Sequence, residues 1–147
     1  MTKPDFSRGT LMFIAYNQVR MHDTDMAGIL YFPRMFRLAH DALEDFLAEI
    51  GLNYDFLFRR SDFTFVIVHA ESDYLLPLLV SEQVSVHLTI AHIGTTSFAI
   101  KYRVYRGETL VGVVKTVHVS LESISRKKIP IPEEFRKSLQ KYYKPED

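Results

Sequence analysis

One stretch of this chain has a helical period and nearly everything after it has a strand period, and that order narrows the folds open to it. From Arg34 to Ile50, the residues Met35, Leu38, Ala39, Ala42, Leu43, Phe46, Leu47 and Ile50 recur every three or four positions, while Arg37, Asp41, Glu44, Asp45 and Glu49 fall on other faces. That spacing makes one apolar stripe along an α-helix, and Gly51 supplies a C-terminal stop. Downstream the period drops to two. Val84, Val86, Leu88 and Ile90 alternate with polar residues, as do Phe98, Ile100, Tyr102 and Val104, so each of these strands has one covered face. The pattern predicts strands over 63–74, 82–91, 96–106 and 109–121, with hairpin turns at Gly94 and Gly107. Residues 11–20 read as a first strand and 53–60 as a short irregular piece. Pro132, Glu133 and Glu134 open a short C-terminal helix bearing Phe135 and Leu139. The 109–121 strand is Val-rich on both faces, which suits a central strand or one at a subunit interface.

Strand, long helix, then four antiparallel strands is an α+β arrangement in which one helix covers one face of a five-stranded sheet. This is the outline of a hotdog fold. A single helix cannot close both the edges and the second face of so long a sheet, which predicts a homodimer or a homotetramer built as a dimer of dimers. At 147 residues, without an internal repeat, low-complexity tract or linker, the chain reads as one domain over 1–147.

Composition removes several function classes. Lys plus Arg and Asp plus Glu both number 18, a formal charge of +0 that argues against capture of nucleic acid or an anionic membrane. The absence of cysteine excludes disulfides, thiolate nucleophiles and cysteine metal sites. Met1–Thr10 lacks a leader pattern and no run approaches a membrane span, so a cytoplasmic location is expected. The 11 Phe and 8 Tyr point to an aromatic core, interface or acyl pocket.

The chemistry concentrates just before the long helix, in Asp23-Thr24-Asp25-Met26-Ala27-Gly28-Ile29-Leu30-Tyr31-Phe32-Pro33. Pro33 suits a first helical turn, leaving the backbone amide near Phe32 unpaired and partly positive. A carboxylate beside such an amide, with a substrate carbonyl between them, has the parts for acyl transfer. Read as a bare residue, Asp25 equally suits a turn or helix cap. Asp23, two residues earlier, suits a structural role in holding the loop, as does His22.

The run Val19-Arg20-Met21-His22-Asp23-Thr24-Asp25 through Pro33 resembles the signature of the hotdog acyl-CoA thioesterases of the 4-hydroxybenzoyl-CoA thioesterase type. Phe36-Arg37, His40-Asp41-Ala42, Glu44 and Ile67-Val68-His69-Ala70-Glu71 are most similar to the 1,4-dihydroxy-2-naphthoyl-CoA hydrolase branch. The resemblance implies an enzyme, a cofactor-free hydrolase of an aromatic acyl-CoA. In it, Asp25 acts as nucleophile or general base and the Phe32 backbone amide polarises the thioester oxygen. It further implies substrate contacts at Gly28, Tyr31, His40 and His69. His40 keeps two readings, contact with an aryl hydroxyl or an i,i+4 partner of Glu44. His69 and Glu71 are either pocket-lining or a hydrogen-bonded pair, and no third ligand at a suggestive spacing supports a metal.

Two departures matter. Where a branch acting on short and medium acyl-CoA carries Tyr and His around the catalytic Asp, this chain has Met21 and Phe32. Where some relatives carry basic residues for the CoA phosphates, it has Gly94-Thr95-Thr96, which turns attention to Arg126, Lys127 and Lys128, with Arg59 and Arg60 behind them. The rival classes are a hotdog hydratase, whose histidine before a Phe-Pro pair is replaced here by Tyr31, and a non-catalytic acyl-CoA binding module.

Overall fold

The computed structural model describes residues 11–53 and 55–146. Five strands, β1 (Phe13–Gln18), β2 (Phe63–Tyr74), β3 (Gln83–Ile93), β4 (Ser97–Arg106) and β5 (Thr109–Glu122), form one antiparallel sheet in the order β1-β3-β4-β5-β2. The Val-rich β5 lies inside the sheet, between β4 and β2. β1 and β2 are the edges.

Helix α1 (Met35–Glu49) lies on one face of this sheet and buries Met35, Leu38, Ala39, Ala42, Leu43 and Phe46, the stripe that the period predicts; Leu47 and Ile50 are only partly buried. The opposing surface is Val84, Val86, Leu88 and Ile90 of β3 with Phe98, Ile100, Tyr102 and Val104 of β4, all buried. Each large side chain in such a layer contributes roughly 1.5–3 kcal/mol, more than helix propensity supplies. α1 closes tightly on β5 at one point. A Cβ at Gly112 would stand 2.6 Å from the Met35 methyl carbon and 3.3 Å from the Asp73 carbonyl oxygen, so a larger residue there would require the Met35 side chain to move.

Three local features differ from the sequence reading. Pro33 stands in a 3-10 turn, Phe32–Arg34, and the α-helix proper begins at Met35. The irregular piece contains a π-helical turn, Phe56–Arg60. The third is a bulge in β2. Ile67 pairs with His118 and His69 with Val117, which leaves Val68 unopposed and reverses the inward and outward parity of every later β2 residue.

The C-terminal helix α2 (Glu133–Gln140) extends the α1 layer over the far end of the sheet. Phe135 stacks on Phe65 at 5.5 Å and meets Phe98 edge-on, while Tyr142 meets Phe46 at 4.9 Å. Arg136 ties α2 to the β3–β4 turn by donating to the Gly94 and Thr95 carbonyls. Among the described residues no helix is long and apolar enough to cross a membrane.

Candidate active site

The loop between β1 and α1 is fastened from beneath by Asp23, whose side chain is fully buried. Arg34 Nε at 3.0 Å and Arg37 Nε at 2.6 Å donate to Oδ1, while the Arg37 guanidinium and the Arg20 N–H donate to Oδ2. Burial by itself would raise this carboxyl; the bonds from Arg37, Arg20 and Arg34 outweigh it and hold Asp23 at about 2. Arg37 continues the knot to Asp41 at 2.6 Å and to the Gln18 carbonyl at 2.9 Å. The end of β1, the loop and the first turns of α1 are thereby one unit. Asp23 is the structural anchor expected of it, and His22 lies 3.7 Å away, largely exposed.

Two residues on, Asp25 has the opposite surroundings. The loop folds on itself through the Thr24–Leu30 bridge and the Asp25 N–H to Ile29 carbonyl bond of 2.9 Å. Gly28, at φ +75, makes the reversal at its tip. Asp25 Oδ1 accepts the Ala27 N–H at 2.9 Å and the Ile29 N–H at 3.2 Å, and neither bond uses Oδ2. Asp25 is exposed. It caps its own loop, so the capping role considered for it and a free carboxylate oxygen coexist in one side chain.

The neighbouring amides are accounted for one by one. The Tyr31 N–H donates to the Asp23 carbonyl and the Arg34 N–H to the Tyr31 carbonyl, both at 2.8 Å. Pro33 has no N–H. Phe32 is the first residue of its 3-10 turn, so its N–H has no acceptor within the turn. Its carbonyl accepts the Tyr74 hydroxyl at 2.6 Å, which fixes the peptide against the end of β2. The rings of Tyr31, Phe32 and Tyr74 meet edge-on at 5.2 and 6.4 Å and remain about half exposed.

His40 stands on α1 at the mouth of a cavity of about 200 Å³ lined also by Leu43, Glu44, Leu47, Leu52, Leu57, Phe65, Ile67 and His118. A second cavity of about 130 Å³ shares His40 and Ile67 and is lined by Phe36, Ala39, Ala70, Tyr102 and Thr116. Among the described residues His40 makes no ion pair with Glu44. His69 does not face these cavities. The β2 bulge turns Ala70 toward α1 and leaves His69 on the other face, 3.2 Å from Glu71, which opens with Asp73, Lys101 and Lys115 onto the far side of the sheet. The reading of His69 and Glu71 as a hydrogen-bonded pair matches this geometry, whereas a substrate contact through the α1-side cavities does not. No cluster of three metal-ligating side chains occurs among the described residues.

Arg126, Lys127 and Lys128 form an exposed turn after β5, with Arg126 at φ +63 and the Glu122 carboxylate accepting the Ile124 and Ser125 amides. The turn lies beside the Phe63 end of β2; the Asp25 loop lies beside the Tyr74 end. Within one protomer the two are separated by the length of a 12-residue strand. Arg59 is exposed and faces Asp55 at 3.7 Å, and the Arg60 side chain lies outside the described residues. Sequence reasoning missed Arg37, which looked like solvated helix surface, and the buried His118 and Thr116, which are polar residues inside a valine-rich strand.

Comparison with known proteins agrees with the fold. The chain is 31% identical over 118 residues to the 1,4-dihydroxy-2-naphthoyl-CoA hydrolase of Microcystis aeruginosa, covering 80% of this chain and 86% of that one. It is 35% identical over 125 residues to the enzyme of the same name from Nostoc punctiforme, covering 84% of each. The crystal structure of a 1,4-dihydroxy-2-naphthoyl-CoA thioesterase from Synechocystis superposes with a TM-score of 0.80 at 29% identity, over 87% of this chain and 95% of that one. Residues 19–139, from the residue that follows β1 to the last turn of α2, match the model of the thioesterase-like superfamily, and the chain is a hotdog-fold member of that family.

Proposed function

We propose that this protein hydrolyses an aromatic acyl-CoA thioester, of the 1,4-dihydroxy-2-naphthoyl or 4-hydroxybenzoyl kind, with Asp25 as the catalytic carboxylate and the Phe32 N–H as oxyanion donor. The observation that carries the reading is the free Asp25 Oδ2 on a loop locked in place by Asp23, the same loop that leads into the Phe32 amide, which has no acceptor within its own turn. The names of the relatives support the substrate class. Oδ2 either attacks the thioester carbonyl, giving a mixed anhydride that water then opens, or takes a proton from the attacking water. In both routes the carbonyl oxygen gains charge at the Phe32 amide, the C–S bond breaks, and the thiol of CoA leaves with a proton. A thioester needs no serine triad, so one oriented carboxylate and one donor suffice. Gly28 and Tyr31 border the reacting group, and His40 meets the acyl ring.

The working form in this reading is a homodimer, or a homotetramer of two such dimers. β2 offers an unpaired edge with Val66, Ile67 and Val68 between 39% and 59% exposed, and Tyr31, Phe32, Tyr74, Leu75, Leu76 and Leu79 extend that apolar surface to the catalytic loop. Edges of this kind favour strand pairing. Antiparallel pairing of two β2 edges sets the Phe63 end of one protomer beside the Tyr74 end of the other. The partner's 126–128 turn then approaches this Asp25 loop, where the CoA phosphates would extend. A cytoplasmic location accompanies the reading.

The test is thiol release from 1,4-dihydroxy-2-naphthoyl-, 4-hydroxybenzoyl-, benzoyl- and straight-chain acyl-CoA, with sedimentation velocity on the same preparations. Turnover of aryl esters that collapses in Asp25→Asn is expected. Tight binding of those esters without turnover in the wild type would instead indicate a binding module.

A further inference from the structure

The α1-facing side of β5 carries polar residues where apolar ones would pack more simply. Thr116 is 5% exposed and His118 is 0% exposed. The Tyr102 hydroxyl and Thr116 Oγ1 are 2.9 Å apart, and Thr116 Oγ1 and His118 Nε2 are 2.8 Å apart, giving one buried chain across β4 and β5. The His118 ring stacks on Phe98 at 4.9 Å and 7° and receives the edge of Phe65 at 5.7 Å, so its plane is fixed. Its Nδ1 is buried with no partner. A buried polar nitrogen left unpaired is destabilising, and Phe at this position would remove that penalty.

The direction of the chain follows from donor counting. The buried Tyr102 hydroxyl has one partner here, Thr116, and satisfies its own hydrogen only by donating to it. The single Thr116 hydrogen then goes to His118 Nε2, which must accept. Burial, with His40 nearby, pulls His118 down to about 4, so the ring is neutral at pH 7 and its proton resides on Nδ1. The unpaired group is therefore a donor.

Its position relative to the reacting carbonyl is set by α1. At about 2.0 Å per residue through the 3-10 turn and about 1.5 Å per residue along α1, Phe36 stands about 8 Å and His40 about 14 Å from Phe32. The smaller cavity begins at Phe36 with Tyr102 and Thr116 in its wall, and the larger continues past His40 with His118 in its wall. An apolar void of about 150 Å³ holds a benzene ring, so the two adjoining voids suit an acyl group of one or two fused rings.

We infer that His118 Nδ1–H is a specificity contact that donates to a ring oxygen of the bound aromatic acyl group, with Thr116 and Tyr102 as positioning residues that fix its tautomer. The inference rests on the thioesterase reading for its substrate class but not for its test. The protein reads, at the floor of the acyl pocket, whether the ring carries an oxygen.

The first arm needs no substitution. Long-range ¹H–¹⁵N spectra of the wild type are expected to show His118 protonated on Nδ1, with that proton moving downfield on adding 4-hydroxybenzoyl-CoA or 1,4-dihydroxy-2-naphthoyl-CoA, and not on adding benzoyl- or 2-naphthoyl-CoA. A proton on Nε2 overturns the inference. In the second arm, the wild type is expected to prefer the oxygenated member of each pair by about 10- to 100-fold in kcat/KM, and His118→Phe to bring that ratio close to one by a larger loss on the oxygenated ester than on its plain counterpart. Thr116→Val should erode the preference through KM, and Thr116→Ser should restore it. Equal loss on both members of a pair in His118→Phe would mark a merely structural role and overturn the inference. Should the wild type hydrolyse none of the esters, the thioesterase reading fails, and calorimetric affinities for the same pairs decide the subsite: a preference for the oxygenated ester upholds it, and equal affinities overturn it.

Discussion

Asp23 and Asp25 are the same residue type two positions apart, and the molecule treats them in opposite ways. Asp23 is sealed under the loop with two arginines and a backbone amide on its oxygens. Asp25 sits at the exposed tip, with one oxygen tied to its own loop and the other open. An ion pair at the surface contributes little, whereas a buried carboxylate stripped of its partners is costly. A carboxylate meant for chemistry needs an accessible oxygen and a fixed direction. The chain divides the two demands: the inner aspartate supplies rigidity and the outer one supplies the reactive atom.

The largest effect that could break this comparison is on activity. Asp25→Asn is expected to lower kcat by about 10³-fold, within the usual range for losing a general base or nucleophile, while Tm stays nearly constant because the amide oxygen still accepts from Ala27 and Ile29. Asp23→Ala should do the reverse in order of cause. It leaves Arg34 without its counter-ion and Arg37 with Asp41 alone, costing about 3 kcal/mol of stability, and activity should fall chiefly because the loop loses its anchor. Paired kinetics and thermal melts on both variants check this. A stable, active Asp23→Ala protein would dissolve the division of labour.

Much of this arrangement was legible in the sequence, and what escaped did so for physical reasons. The 3.6-residue stripe found α1, alternation found β3 and β4, and the spacing of Asp25 from Phe32-Pro33 found the loop and its amide. Arg37 escaped because a charged residue on a helix is usually solvated, and no period announces that Asp23 will be folded beneath it. The resemblance implies a substrate contact at His69, and strict alternation along β2 would set it on the same face as Phe65 and Ile67; a one-residue bulge at Val68 cancels that parity. His118 escaped because a strand that is Val-rich on both faces gives no parity to say which side its polar residues occupy. In this sheet they form the inner one.

A second pair of carriers sharpens the comparison through pH. Asp23 is held near 2, below its ordinary 3.8, so its contribution of about 2 kcal/mol is complete above pH 4 and disappears as pH falls through 2. His118 is held near 4, below its ordinary 6.5, and it faces His40 across the cavity. The unfolded chain takes up this proton first, so stability declines by about 3 kcal/mol between pH 6.5 and 4 and then levels. Denaturant titrations against pH should therefore show two separate acid limbs. His118→Phe removes the upper limb and Asp23→Asn flattens the lower one. A single limb that responds to both substitutions would mean the anchor and the pocket floor are one electrostatic unit.

The smallest effect concerns a region that neither aspartate touches. Along β2 the basic turn at 126–128 and the Asp25 loop of one protomer lie at opposite ends of a strand about 36 Å long, yet antiparallel pairing of two β2 edges would bring the turn of one protomer to the loop of the other. Exposed lysines and arginines meeting phosphates in water contribute modestly each and are screened by salt. Replacing Arg126, Lys127 and Lys128 together by Ser should raise KM for acyl-CoA by about 10-fold at low ionic strength, leave kcat nearly intact, and lose most of its effect near 0.5 M salt. The same triple substitution should leave hydrolysis of an acyl-pantetheine ester, which lacks the nucleotide, unchanged. Mixing it with Asp25→Asn protein gives the sharper result. A dimer formed from one chain of each kind has one site with both an intact Asp25 and the basic turn of its partner, so low-salt activity at low substrate should rise above the sum of the two parents. Activity that merely adds would place the phosphate contacts within the protomer and remove the role of the shared β2 edge in binding CoA.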